Sequence, residues 1–152
     1  MNEETKTLAI TLGHQKTVSF LLRELAREFE RRADLHDTSK FQLDELEGFI
    51  EINQVLRDYE FGSPEYKSSL KENKAVALHL SRNSHHPEYH AGGVGAMDLI
   101  DFVEMVIDWV AANQTYGDTP WEKAIERQKD RFGLTDCQLA VIGLISEWLK
   151  YD

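Results

Sequence analysis

The sequence predicts an all-α fold: one domain over residues 1–152, built as a bundle of about six helices. Three observations carry this. Apolar residues recur at three- and four-residue steps along most of the chain. No stretch alternates apolar and polar residues as a half-buried strand would. The three prolines, Pro64, Pro87 and Pro120, fall at boundaries of the periodic segments, not inside them. A length of 152 residues with 41% hydrophobic and 29% charged content suits a globular domain with its own core.

The first helix is expected from about Glu4 to Ala33. Leu8, Thr11, His14, Val18, Leu21, Leu22, Leu25 and Phe29 form one stripe, the face a core would bury. His36-Asp37 closes this segment. A second helix runs from about Leu43 to Tyr59 with Leu46, Phe49, Ile50 and Leu56 inward, until Phe61-Gly62 breaks it. Ser63-Pro64 opens a third, since serine caps and proline fits a first turn that needs no N–H. It carries His79 and ends near Asn83. A loop from Ser84 to Gly95 contains His85-His86-Pro87-Glu88. The fourth helix, about Ala96 to Asn113, is the most apolar. Thr119-Pro120-Trp121-Glu122 reads as a capping box opening a fifth helix to about Arg131, with Gly133 as its stop. Thr135-Asp136-Cys137-Gln138 reads as another, opening the last helix to about Lys150.

Net charge is −10. Such a surface repels phosphate backbones, which argues against extended nucleic-acid binding but leaves room for a single nucleotide held by local cations or a metal. No apolar stretch reaches the roughly 20 residues that span a bilayer, so no membrane partner is expected. Met1 to Thr7 is polar and lacks a signal-peptide pattern. The single Cys137 allows no internal disulfide, which fits a cytoplasmic setting (host cytoplasm, were the chain phage-encoded).

The chemistry lies in six histidines and a few carboxylates. His36 and Asp37 offer an imidazole nitrogen and a carboxylate oxygen at adjacent positions, a pair suited to borderline divalent metals. His14 is on the apolar stripe, where a lone histidine is more often packed than ligating, yet it meets His36-Asp37 if the chain turns back. His79 shares a mostly apolar face with Val76 and Leu80, and core packing and ligation weigh equally there. His85-His86-Pro87-Glu88 favours function, because imidazole is neither a good turn former nor a good core filler. His90 reads as an exposed loop residue. On the fourth helix Asp101, Glu104 and Asp108 share a face beside Ile100, Val103, Ile107 and Val110. A carboxylate facing inward must be protonated, paired or metal-bound. Asp108 is the preferred ligand, Asp101 the competitor, and Glu104 a supporting group or general base. Asp98 reads as a charge at the helix N-terminus.

This ordered set resembles the HD-domain superfamily, helical metal-dependent enzymes that mainly hydrolyse phosphate esters of nucleotides. The finer pattern is similar to an uncharacterised HD-like family of phages and bacteria. It is carried by His36-Asp37-Thr38-Ser39-Lys40-Phe41, His85-His86-Pro87-Glu88, Glu104-Met105-x-x-Asp108-Trp109 and Gln128-x-x-Arg131-Phe132. The resemblance implies His14, His36, Asp37 and Asp108 as core ligands of a Mn, Fe, Zn or Co type ion. It implies His85 and His79 as an extension to a second metal, and Lys40, aided by Arg82, as phosphate contacts. Glu104, His86 or Glu88 would move the proton. Two features depart from the two-metal branch: His79 and His85 are closer in sequence, and no Gly-Tyr-Pro element follows the histidine pair.

The expected function is hydrolysis of a small phosphorylated molecule, with a nucleotide as the leading case. A di-iron oxygenase of the same superfamily, a non-catalytic nucleotide-binding module and a metal-stabilised interaction protein using Trp148 and Tyr151 are the alternatives. An oligomer is compatible with the amphipathic helices.

Overall fold

Among the described residues seven α-helices and three short 3-10 turns make up the secondary structure and no strand occurs, so the all-α expectation holds. The structure, a computed structural model, describes residues 2–59, 62–116 and 119–149. The expected break at Phe61, the helix end at Lys150 and the contact at Tyr151 lie outside them. Backbone contacts divide the chain into two units, residues 1–36 and 37–152.

The first unit is one helix, α1 (Glu3–Leu35). The Asn2 side chain accepts from the Thr5 N–H at 2.8 Å, and Glu3 and Glu4 complement the positive end of the helix dipole. None of its residues is buried. Leu8, Leu21 and Leu22 are 62%, 59% and 61% exposed, and His14 is exposed as well. Within this unit, then, nothing covers the expected stripe. A single helix has no second layer within its own unit against which to bury a face.

The second unit begins with a 3-10 turn (Thr38–Phe41) and α2 (Leu43–Leu56). The expected third helix is in fact two, α3 (Pro64–Glu72) and α4 (Lys74–Arg82). Asn73 separates them in an extended conformation. Its side chain accepts from the Val76 N–H at 3.0 Å and donates to the Gly48 carbonyl at 3.2 Å. Asparagine competes with helix through such local bonds, so it caps a new helix instead of continuing the old one. α2 and α4 lie close: a Cβ on Gly48 would meet the Ala75 Cβ at 2.4 Å. In this packing α2 buries Glu45 and Ile52, whereas Ile50, expected inward, is 51% exposed.

α5 (Leu99–Tyr116), α6 (Trp121–Phe132) and α7 (Asp136–Trp148) hold the apolar core. Met105, Val106 and Ile142 are its most deeply buried members, joined by Phe102, Val110 and Trp121. The Trp121 indole donates to Ser146 Oγ at 3.0 Å, which satisfies the polar end of a buried ring. Ile107 faces out on α5, while Asp101 and Glu104 are buried, reversing part of the expected apolar stripe. The Asp98 side chain accepts from the Asp101 N–H at 2.8 Å, as a helix-start residue should. The Thr135–Gln138 capping box forms, and Gly133 ends α6 at φ 63° with its N–H on the Lys129 carbonyl. The box expected at Thr119 does not form: Pro120 takes the cap position with no side-chain bond, and the Thr119 carbonyl accepts from Asn113. Between α4 and α5 the loop makes two 3-10 turns, Pro87–Tyr89 and Gly93–Ala96. Among the described residues no helix is long and apolar enough to cross a membrane.

Candidate metal centre

Asp37 opens the second unit in the left-handed region, at φ 56°, where the chain turns into its 3-10 segment. Aspartate tolerates this conformation because its short polar side chain can bond locally. The Asp37 carbonyl accepts from the Lys40 N–H at 3.0 Å, and the Lys40 ammonium pairs with Asp37 Oδ2. The other carboxylate oxygen, Oδ1, is buried and faces two histidines.

Those histidines come from different elements. His79, in the last turn of α4 and 3% exposed, places Nε2 3.1 Å from Asp37 Oδ1. His85, in the loop after α4 and equally buried, places Nε2 3.4 Å from the same oxygen. His86 brings its Nε2 to 3.0 Å from His79 Nε2. One donor atom from each of Asp37, His79, His85 and His86 lies within 4.8 Å of all the others.

Behind each of the two deepest imidazoles stands a buried carboxylate. His79 Nδ1 is 3.0 Å from Glu45 Oε2, and His85 Nδ1 is 3.2 Å from Glu104 Oε1. An ionised carboxylate only accepts, so each Nδ1 carries a proton, and this assignment rests on the hydrogen-bond network. Both Nε2 atoms then point at Asp37 Oδ1. A cation between them relieves the lone-pair repulsion, as a second proton on each ring would. Three nitrogens and an oxygen, two of the three rings buried and fixed in orientation from behind, fit a borderline divalent ion.

Glu45 is fully buried. Ser39 donates to its Oε2 at 2.9 Å, Arg82 to its Oε1 at 3.4 Å, and Asn83 holds Ser39 at 3.0 Å. Burial pulls the Asp37 carboxyl upward, but Lys40, together with His79 and His85 in the state where their Nε2 atoms carry a proton, holds it well below the usual carboxylate range. Burial, with His85 and His79 alongside, pushes His86 down to about 3, against the opposing charges of Asp108 and Asp37.

The remaining sequence candidates fall as follows. Asp108 is half-buried, with a carboxylate oxygen within 4.8 Å of one from Asp37. Asp101 instead accepts from Ser84 Oγ at 2.6 Å and has His90 at 3.6 Å, so it ties the loop to α5, and His90 is half-buried, not exposed. Glu104 supports His85. Arg82 is one layer back, on Glu45 and Asp44. Glu88 is exposed and pairs with Arg131 at 2.7 Å. His36 caps the end of α1, its N–H on the Arg32 carbonyl, and His14 is exposed on that helix.

Sequence reasoning missed Glu45, Ser39 and Asn83. Ser39 lay inside a motif already singled out. Asn83 follows His79 by four residues, one helical turn. Glu45 gave no signal beyond its seven-residue spacing from Ile52.

Residues 3–150 match the model of a family of unknown function, DUF5662. No curated protein and no solved structure matches the chain.

Proposed function

We propose that this chain, which belongs to the DUF5662 family, is a metal-dependent phosphohydrolase of HD-domain type, acting on a small phosphorylated molecule such as a nucleotide. The observation that supports this most is the pair of buried imidazoles, each backed by a carboxylate at Nδ1 and each aimed by Nε2 at Asp37. Histidines that only fill a core have no need of that double arrangement.

Asp37, His79, His85 and His86 would hold the ion, with Asp108 at the edge of the group. A divalent ion there supplies Lewis acidity toward a phosphoryl oxygen and makes a nearby water more acidic. The chain supplies the rest. Lys40, paired with Asp37, is the cation positioned to neutralise an incoming phosphate. Glu45 and Glu104 fix the two rings so that the donors are in place before substrate arrives. His86 is kept neutral, the form in which an imidazole ligates, and so weak a base is poorly matched to proton transfer near neutral pH.

The test is elemental analysis of the purified protein, then turnover of nucleoside mono-, di- and triphosphates with Mn, Co and Mg added. Phosphate release that fails in Asp37→Ala supports the reading. A metal-free Asp37→Ala protein with full activity would end it. Oxygen consumption with ferrous iron and no phosphate release would move the same donors to the di-iron oxygenase class. Tight nucleotide retention without product would leave a binding module.

A further inference from the structure

The motif Gln128-x-x-Arg131-Phe132 takes no part in the metal centre. Gln128 and Arg131 instead line a cavity of about 440 Å³ bounded by residues of α3, α5 and α6. That volume is in the range of small-molecule sites. Two kinds of side chain meet in it. Trp109, Trp121 and Tyr66 supply aromatic wall, and Lys67, Arg127 and Arg131 supply positive charge. No carboxylate occurs among its described lining residues. In a chain of net charge −10 this is a local reversal of sign. Arg131 is already engaged by Glu88 at 2.7 Å. Lys67 and Arg127 make no ion pair with any described residue, which leaves their charge available.

We propose that this cavity is a second ligand site, separate from the metal centre, that binds a nucleoside phosphate. Aromatic wall and free cations within one small enclosure suit a ligand that is both flat and anionic. Gln128 offers an amide donor and acceptor to the edge of a base. Inorganic phosphate alone would leave the aromatic wall unused, and a neutral ring would leave the cations unused. The cavity shares no residue with Asp37, His79, His85 or His86, so the proposal stands or falls independently of the metal reading.

Two of the three tryptophans line this cavity, so intrinsic fluorescence reports occupancy directly. The full chain, freed of metal by chelation, is titrated with AMP, with ribose 5-phosphate and with adenosine. Saturable quenching by AMP is expected, with the two fragments at least about ten-fold weaker. Lys67→Ala and Arg127→Ala should each weaken AMP by about ten-fold, with an unchanged circular-dichroism melt because both side chains are exposed. Asp37→Asn should bind AMP as the parent does. The proposal is overturned by no saturable quenching up to about 10 mM, by adenosine binding as well as AMP, or by AMP binding that survives the Lys67→Ala, Arg127→Ala double variant. Loss of binding in Asp37→Asn overturns it too, since the ligand would then belong to the metal centre.

Discussion

Asp37 is the one described residue other than glycine with positive φ, and it is also the residue on which the histidines converge. A left-handed backbone for a non-glycine residue costs on the order of 1 kcal/mol, so surrounding contacts must hold it there. Asparagine tolerates the same conformation. Asp37→Asn should therefore keep its turn while removing the ligand charge. Metal content by mass spectrometry is expected to fall at least about ten-fold, and turnover with it, with only a small change in melting temperature. Glu45→Gln tests the layer behind. The amide still reaches His79 Nδ1 but no longer makes the ring more basic, so metal affinity by calorimetry should drop about 10- to 100-fold. An unchanged affinity would show that Glu45 only fills space. His86 sets a pH dependence. Its folded-state pKa, about 3, is below the ordinary histidine value of 6.5, so between those values the unfolded chain binds more protons than the folded one. This group's contribution to the stability of the metal-free protein is thus complete above about pH 6.5 and is lost as pH falls toward 3, by at most about 1.4 kcal/mol per pH unit. His86→Gln should flatten the melting-temperature profile between pH 7 and 5. An equally steep profile in that variant would assign the loss to other groups.

At the scale of elements, the positions of Glu45 and His79 depend on how closely α2 and α4 approach. Gly48 permits that approach: a Cβ there would meet the Ala75 Cβ at 2.4 Å. Gly48→Ala should lower stability by about 1–3 kcal/mol through overpacking, read as a lower denaturation midpoint. It should also weaken metal binding, because the helix bearing Glu45 moves away from the helix bearing His79. Adding Ala75→Gly should recover part of both losses, an outcome that general instability of the Gly48 variant would not give. The sequence showed unevenly where helices begin and end. Thr135 and Gln138 were readable as a capping box because both side chains satisfy backbone groups locally. The Thr119 box looked the same in sequence and does not form, because Pro120 occupies the cap position. The break at Asn73 was hidden, since its second partner is the Gly48 carbonyl, 25 residues away. A cap bonded to another helix leaves no mark in local spacing.

For the whole molecule, periodicity was enough for the helical class, and it grouped residues onto faces. It did not say what covers a face. Leu8, Leu21 and Leu22 share the α1 surface as spaced, yet they are exposed within a one-helix unit. The acidic face of α5 was visible in Asp101, Glu104 and Asp108, but which acid meets which histidine depends on the loop from Ser84 onward, whose course spacing alone does not determine. Net charge is a whole-chain property that is legible without a fold, and it gives the last prediction. At −10, the distant field opposes any phosphorylated ligand, while Lys40 and the metal donors act only nearby. Salt screens the distant charges first, because the Debye length shortens from about 30 Å at 0.01 M to about 8 Å at 0.15 M. For whichever nucleotide is hydrolysed, kcat/KM should therefore rise, by about two- to three-fold, as monovalent salt increases over that interval. A basic nucleic-acid enzyme would lose activity instead. Steady-state kinetics at constant metal concentration distinguishes the two, and duplex DNA should remain unretained throughout. A falling kcat/KM would mean that local cations near the site outweigh the net charge even at long range.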